Sequence, residues 1–151
     1  MSGKKCRGLA LGCALLCLVL TACGTKPSIS KYQDEFGFSL ENLQAETVRY
    51  ERLDAFQDPW TAYAVKLSGE IESSDFDPAD MTEGLTDRAE STIQGVNSDL
   101  KAEGKEAFFS IQKDGHYRTQ TWTKKDQQSS YRFFIVVYDQ DSDLYYCFWA
   151  G

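Results

Sequence analysis

The chain has 151 residues, with 16 Lys+Arg against 23 Asp+Glu and a formal charge of −7. The three basic residues before Cys23 have no acidic neighbours, so the remainder holds 13 Lys+Arg against 23 Asp+Glu, a charge of −10. That balance excludes nucleic acid as a partner, because such binding rests on Lys and Arg neutralising phosphates. It is compatible with a cationic partner, and equally with plain solubility.

The first segment reads MSGKKCRGLALGCALLCLVLTAC. Lys4, Lys5 and Arg7 form a basic start, an uncharged apolar run extends from Leu9 to Leu20, and small residues precede Cys23. This is the layout of a secretory signal peptide. The run is about 12 residues, against about 20 for a bilayer-crossing helix. Leu20-Thr21-Ala22-Cys23 resembles the lipobox of bacterial lipoproteins. The resemblance implies cleavage before Cys23, acylation of its thiol, and attachment to the outer side of the cell membrane. Each buried CH₂ contributes about 0.8 kcal/mol, and stable anchoring takes more than one acyl chain. The expected organisation is a signal peptide over 1–22, lipidated Cys23 with a tether over 23–30, and one domain over 31–151. An acidic body stands off an anionic lipid surface.

Gly24–Ser30 is small, polar and Pro-containing, as a tether should be. Residues 31–44 read as one helical turn or an edge strand. From Glu46, alternation predicts a strand with Val48, Tyr50 and Arg52 on one side and Thr47, Arg49 and Glu51 on the other. Gln57-Asp58-Pro59 marks a turn. Trp60–Ile71 is a second strand, with Tyr63, Val65 and Leu67 opposite Ala62, Ala64 and Lys66. Asp77 and Pro78 suit the cap and first position of a helix. Gly84 breaks it, and Leu85, Ala89, Ile93, Val96 and Leu100 then mark one face of an amphipathic helix ending near Gly104. Residues 107–112 are a short strand or a buried connector, and Asp114-Gly115 is a turn. Residues 116–125, 131–138 and 144–150 read as strands. The middle one is apolar on both faces, as expected of a central strand. The fold class is therefore α+β, in two layers: an antiparallel sheet of four to five strands with one main amphipathic helix.

Cys147 is the only cysteine after Cys23, so the body has no intramolecular disulfide. In an apolar strand it reads as a small buried hydrophobe. Asp139, Asp141 and Asp143 begin like a calcium loop, but that loop needs Gly at its sixth position and Glu at its twelfth. Leu144 and Ala150 stand there, so the segment reads as a hairpin turn. The acidic group Asp75, Asp77, Asp80 and Glu83 reads as helix capping. No metal site and no cofactor are expected. SYRFFIVVYDQDSDLYYCFWA, residues 130–150, resembles the C-terminal end of a family of small proteins and lipoproteins of Gram-positive bacteria. There a hydrophobic strand, a D-x-D turn and a Leu-Tyr-Tyr strand form a hairpin. That family brings no activity with it.

Catalytic motifs are sparse. Ser98–Lys101 and Ser28–Lys31 both match S-x-x-K, with no K-T-G companion. Glu70 and Glu72 share a strand face as solvated charges do. His116, the single histidine, needs a neighbouring carboxylate or Cys147 in a pocket to act as a base. The aromatic strands offer another lead: a sheet face left open would be a binding platform, with Trp60, Trp122, Tyr145 and Trp149 as contacts. The expected function is a non-catalytic binding or interaction module of the cell envelope, meeting an envelope protein or a small ligand. The alternatives are a small enzyme using His116, and an immunity or inhibitor lipoprotein with an acidic binding face.

Overall fold

The computed structural model describes residues 33–37, 44–53, 60–68, 76–125 and 131–150. The segments expected as signal peptide and tether, with Cys23, and Glu70 and Glu72 lie outside these residues. The described elements are α1 (Gln33–Phe36), β1 (Gln44–Leu53), β2 (Trp60–Ser68), a 3-10 turn (Pro78–Asp80), β3 (Thr82–Glu83), α2 (Asp87–Ala102), β4 (Tyr117–Lys125), β5 (Tyr131–Asp139) and β6 (Leu144–Ala150). The strands form one sheet in the order β1-β2-β6-β5-β4-β3, antiparallel throughout. The class is α+β.

The sheet has six strands rather than four or five. The extra one is β3, whose two residues pair with Thr119 and Arg118. Two residues carry no readable alternation, so β3 exists only because β4 is there to receive it. Residues 107–112 resolve as a connector, with Phe108 and Phe109 buried. The helix expected at Asp77 is a single 3-10 turn. Asp77 does cap it, Oδ1 accepting from the Ala79 N–H at 2.8 Å.

Register divides the side chains into two faces, because successive strand residues point to opposite sides. One face gathers Ala62, Ala64, Ile135, Val137, Tyr146 and Phe148. Phe108 packs edge-on against Tyr146 and Phe148 at 5.9 and 5.6 Å, and the Arg88 guanidinium sits 3.8 Å over the Phe133 ring. The connector and α2 therefore cover this side. The helix buries Ala89, Ile93, Val96 and Leu100, as its spacing predicts. Thr86 caps it, accepting from the Ala89 N–H, and Gly104 leaves it at φ 72°, a conformation glycine adopts without strain.

The opposite face gathers Tyr63, Val65, Phe134, Val136, Tyr145 and Cys147. Phe76 is fully buried here, with ring centres 5.6 Å from Trp122, 6.3 Å from Phe134 and 6.2 Å from Tyr145. Phe36 of α1 lies 5.9 Å from Phe134. The alternation expected for β1 is broken by a bulge between Thr47 and Arg49. Thr47 therefore pairs with Val65 on the side of Tyr50 and Arg52, while Arg49 and Glu51 pair with Ala64 and Ala62. A bulge inserts one residue and reverses the alternation beyond it, which a period-two reading does not detect.

Candidate functional site

The aromatic platform is the first candidate, and the fold closes most of it. Tyr145 is 1 % exposed, between β2 and β5 and beneath Phe76. It offers no ring surface to a partner, contrary to the expectation of a contact residue. The reason is that both faces of β6 are covered. Burial also pushes the Tyr145 phenol well above its ordinary pKa. Trp122 and Trp149 are half-buried against the core, and they flank Phe134 directly in register. Trp60 opens β2, and its side chain lies outside what is described. Among the described residues the large apolar side chains most exposed are Val48, Tyr50 and Ile111. Val48 and Tyr50 belong to edge strand β1, and Ile111 to the connector.

The second candidate is the opposite end of the sheet, where two turns meet. Asp139–Asp143 joins β5 to β6 as a hairpin turn, with Asp143 at φ 55°. Asp is one of the few non-glycine residues that tolerate this region. The three carboxylates serve separate partners. Asp139 accepts from the Asp141 N–H at 3.1 Å and from Ser142 Oγ at 2.8 Å. Asp143 accepts from the Tyr138 hydroxyl at 3.0 Å. Asp141 turns to His116, taking its backbone N–H at Oδ2 and lying 3.0 Å from Nδ1 through Oδ1. The Gln140 N–H donates to the His116 carbonyl at 2.9 Å, closing the contact. Among the described residues no group of three or more His, Cys, Asp or Glu is arranged to hold a metal ion.

His116 thus has the carboxylate neighbour a general base needs, but not the enclosure. Its side chain is 72 % exposed and that of Asp141 56 %. Cys147 is fully buried on the core side of β6, and burial raises its thiol well above the ordinary value. The His116 backbone N–H, then its ring, hold the Asp141 carboxyl below the usual range. The pairing of His116 with Asp141 escapes sequence reasoning because it follows from the β4–β5 register: Tyr117 pairs with Asp139, which brings the residues just beyond that pair together.

Arg49 carries only a strand signal in the sequence. Its guanidinium donates to the carbonyls of Ala107 at 2.6 Å and Glu106 at 2.9 Å, and lies 5.2 Å over the Phe108 ring. It ties the connector to β1, which is a structural role. Among the described residues no helix is long and apolar enough to cross a membrane. No family model, curated protein or solved structure matches the chain.

Proposed function

We propose that the chain is a lipoprotein held by acylated Cys23 on the outer side of the cell membrane, with an α+β body that works as an interaction module rather than a catalyst. The observation that carries this reading is the N-terminal order: basic residues, an apolar run of about 12 residues, then Leu20-Thr21-Ala22-Cys23. The likeness of residues 130–150 to a Gram-positive family that includes lipoproteins supports it. So does an acidic body able to meet a cationic envelope protein. The test has two parts. Mass spectrometry of the mature protein should find an N-terminal peptide that begins at acylated Cys23. In-cell crosslinking should capture one saturable partner that the Cys23→Ala form loses. An unmodified Cys23 would sink the anchor, and capture unaffected by Cys23→Ala would sink its role in partner choice.

The His116–Asp141 contact favours a second reading. A carboxylate on Nδ1 orients the ring and leaves Nε2 facing solvent, an arrangement suited to general-base work. If this reading holds, hydrolytic activity of the full chain toward envelope esters or amides disappears in His116→Ala and falls in Asp141→Asn. Unchanged turnover in both variants removes it.

A further inference from the structure

We infer that two copies of the chain pair edge to edge through β1, antiparallel about a two-fold axis at Tyr50, so that their sheets become continuous. β1 ends the sheet, and among the described residues no strand lies on its outer edge. An open edge presents backbone N–H and C=O groups to another strand. The two edges of the sheet are unlike. On the far edge β3 pairs with Arg118 and Thr119, and exposed Lys124 stands on the rest of β4, as guarding lysines on edge strands do. β1 holds no Lys and no Pro. It carries instead the two most exposed large apolar side chains among the described residues, Val48 at 50 % and Tyr50 at 40 %.

Register selects the occupant. Across such a pair each residue faces one on the same side of the sheet, because a one-residue slip reverses the faces. Arg49 and Glu51 stand on the α2 side, opposite Ala64 and Ala62, and Tyr50 on the other side, opposite Tyr63. With the axis at Tyr50, Arg49 of each copy faces Glu51 of the other, and Val48 faces Arg52. Moving the axis by one residue sets Arg49 against Arg49 or Glu51 against Glu51, and like charges directly opposite are destabilising. The bulge between Thr47 and Arg49 lies at the margin of this ladder. It reverses the alternation beyond it and so limits the match to Val48–Arg52. A ladder of about 17 Å makes a reversible dimer rather than a permanent one.

Charge permits the approach. The body as a whole is acidic, but β1 balances Glu46 and Glu51 against Arg49 and Arg52. Beside it, Lys66 and Lys105 balance Glu103 and Glu106. Arg49 and Glu51 already meet within the chain at 3.4 Å, Glu51 also meets Lys105 at 3.3 Å, and Arg52 is engaged as well. Exposed ion pairs contribute little by themselves. Here they choose the register, while the backbone ladder and the burial of Val48 and Tyr50 supply the attraction. A two-fold pair is closed, so it leaves no β1 edge for a third copy.

The pairing does not depend on the anchor reading. Full-length protein in a density-matched mild detergent would be taken to sedimentation equilibrium over a range of concentrations. The parent should show a reversible monomer–dimer equilibrium. Val48→Lys, which guards the edge, and Glu51→Arg, which sets like charges across the axis, should each weaken it several-fold. Thr123→Lys, on the opposite edge, should leave it unchanged. Urea midpoints would confirm that the variants fold, and a second readout decides the matter if one does not. With added diamide as oxidant, Tyr50→Cys at the axis should form a disulfide-linked dimer several-fold faster than Thr123→Cys. Cys147 is fully buried, and any other thiol is common to both variants. A monomeric parent, a dimer indifferent to Val48→Lys, or equal crosslinking at the two positions overturns the inference.

Discussion

Asp141 is the most informative single residue, because its carboxylate joins two turns that the sequence places 25 positions apart. Its folded pKa is depressed by the His116 N–H first and by the ring second. A carboxyl held below its unfolded value contributes stability above that unfolded value and loses it as pH falls through the folded one. Asp141→Asn should therefore flatten the acid side of the stability curve, with the difference from the parent shrinking steadily below about pH 4. Urea midpoints taken between pH 7 and pH 2 decide this, and parallel curves for the two proteins would refute the linkage. Cys147 makes a complementary prediction. Its thiol is buried and its thiolate disfavoured, and the thiolate is the species that reacts. If cleavage and acylation at Cys23 occur as proposed, Cys147 is the one thiol left, and a reagent at pH 8 should leave the native protein unlabelled and modify one thiol per chain in denaturant. Rapid native labelling would show that β6 opens readily.

At the scale of elements, α2 was readable because it buries one face at helical spacing, and β2, β5 and β6 because their short apolar runs are bounded by turn residues and buried on both faces. What sequence missed depends on partners. β3 is defined by β4, the β1 bulge by its register with β2, and the connector by polar contacts that no periodicity encodes. Asn97 shows this best. It lies on α2 beside the buried stripe, where a polar residue carries no packing signal. Its Oδ1 accepts from the Phe108 N–H at 2.8 Å, and its Nδ2 donates to the Phe109 carbonyl at 2.7 Å. The connector thereby satisfies backbone groups that would otherwise be enclosed against α2. Gly115 belongs to the same unit, since a Cβ there would run into the Tyr117 hydroxyl, which accepts the Gln112 N–H. Asn97→Ala leaves both partners of the helix contact without a bond and should cost about 1–3 kcal/mol, read as a lower urea midpoint at unchanged slope. Asn97→Asp keeps the acceptor and loses the donor, so it should fall between. Parent-like stability in Asn97→Ala would mean that water replaces the side chain at no cost.

For the molecule as a whole, the consequential fact is that one sheet serves two cores. The candidate aromatic face was half legible. Sequence placed the rings on β5 and β6, but Phe76 reaches that face from a segment with no strand or helix pattern. Its distance in sequence from Phe134 and Tyr145 hid the cover it provides. The cover matters energetically, because a fully buried Phe carries a large share of a small domain's stability. Phe76→Ala should lose about 3–5 kcal/mol and shift the emission of Trp122, whose ring centre lies 5.6 Å away. Leu100→Ala, on the opposite side beneath α2, should lose about 2–5 kcal/mol. Every central strand contributes residues to both sides, so neither core can dissolve while the other keeps its sheet. Both variants should therefore unfold in a single transition, with tryptophan emission and far-ultraviolet dichroism coincident. Two separated transitions in Phe76→Ala would instead show that α2 and its face form a unit stable without the aromatic side. The aromatic side would then be a removable cover, and its opening would expose Tyr145.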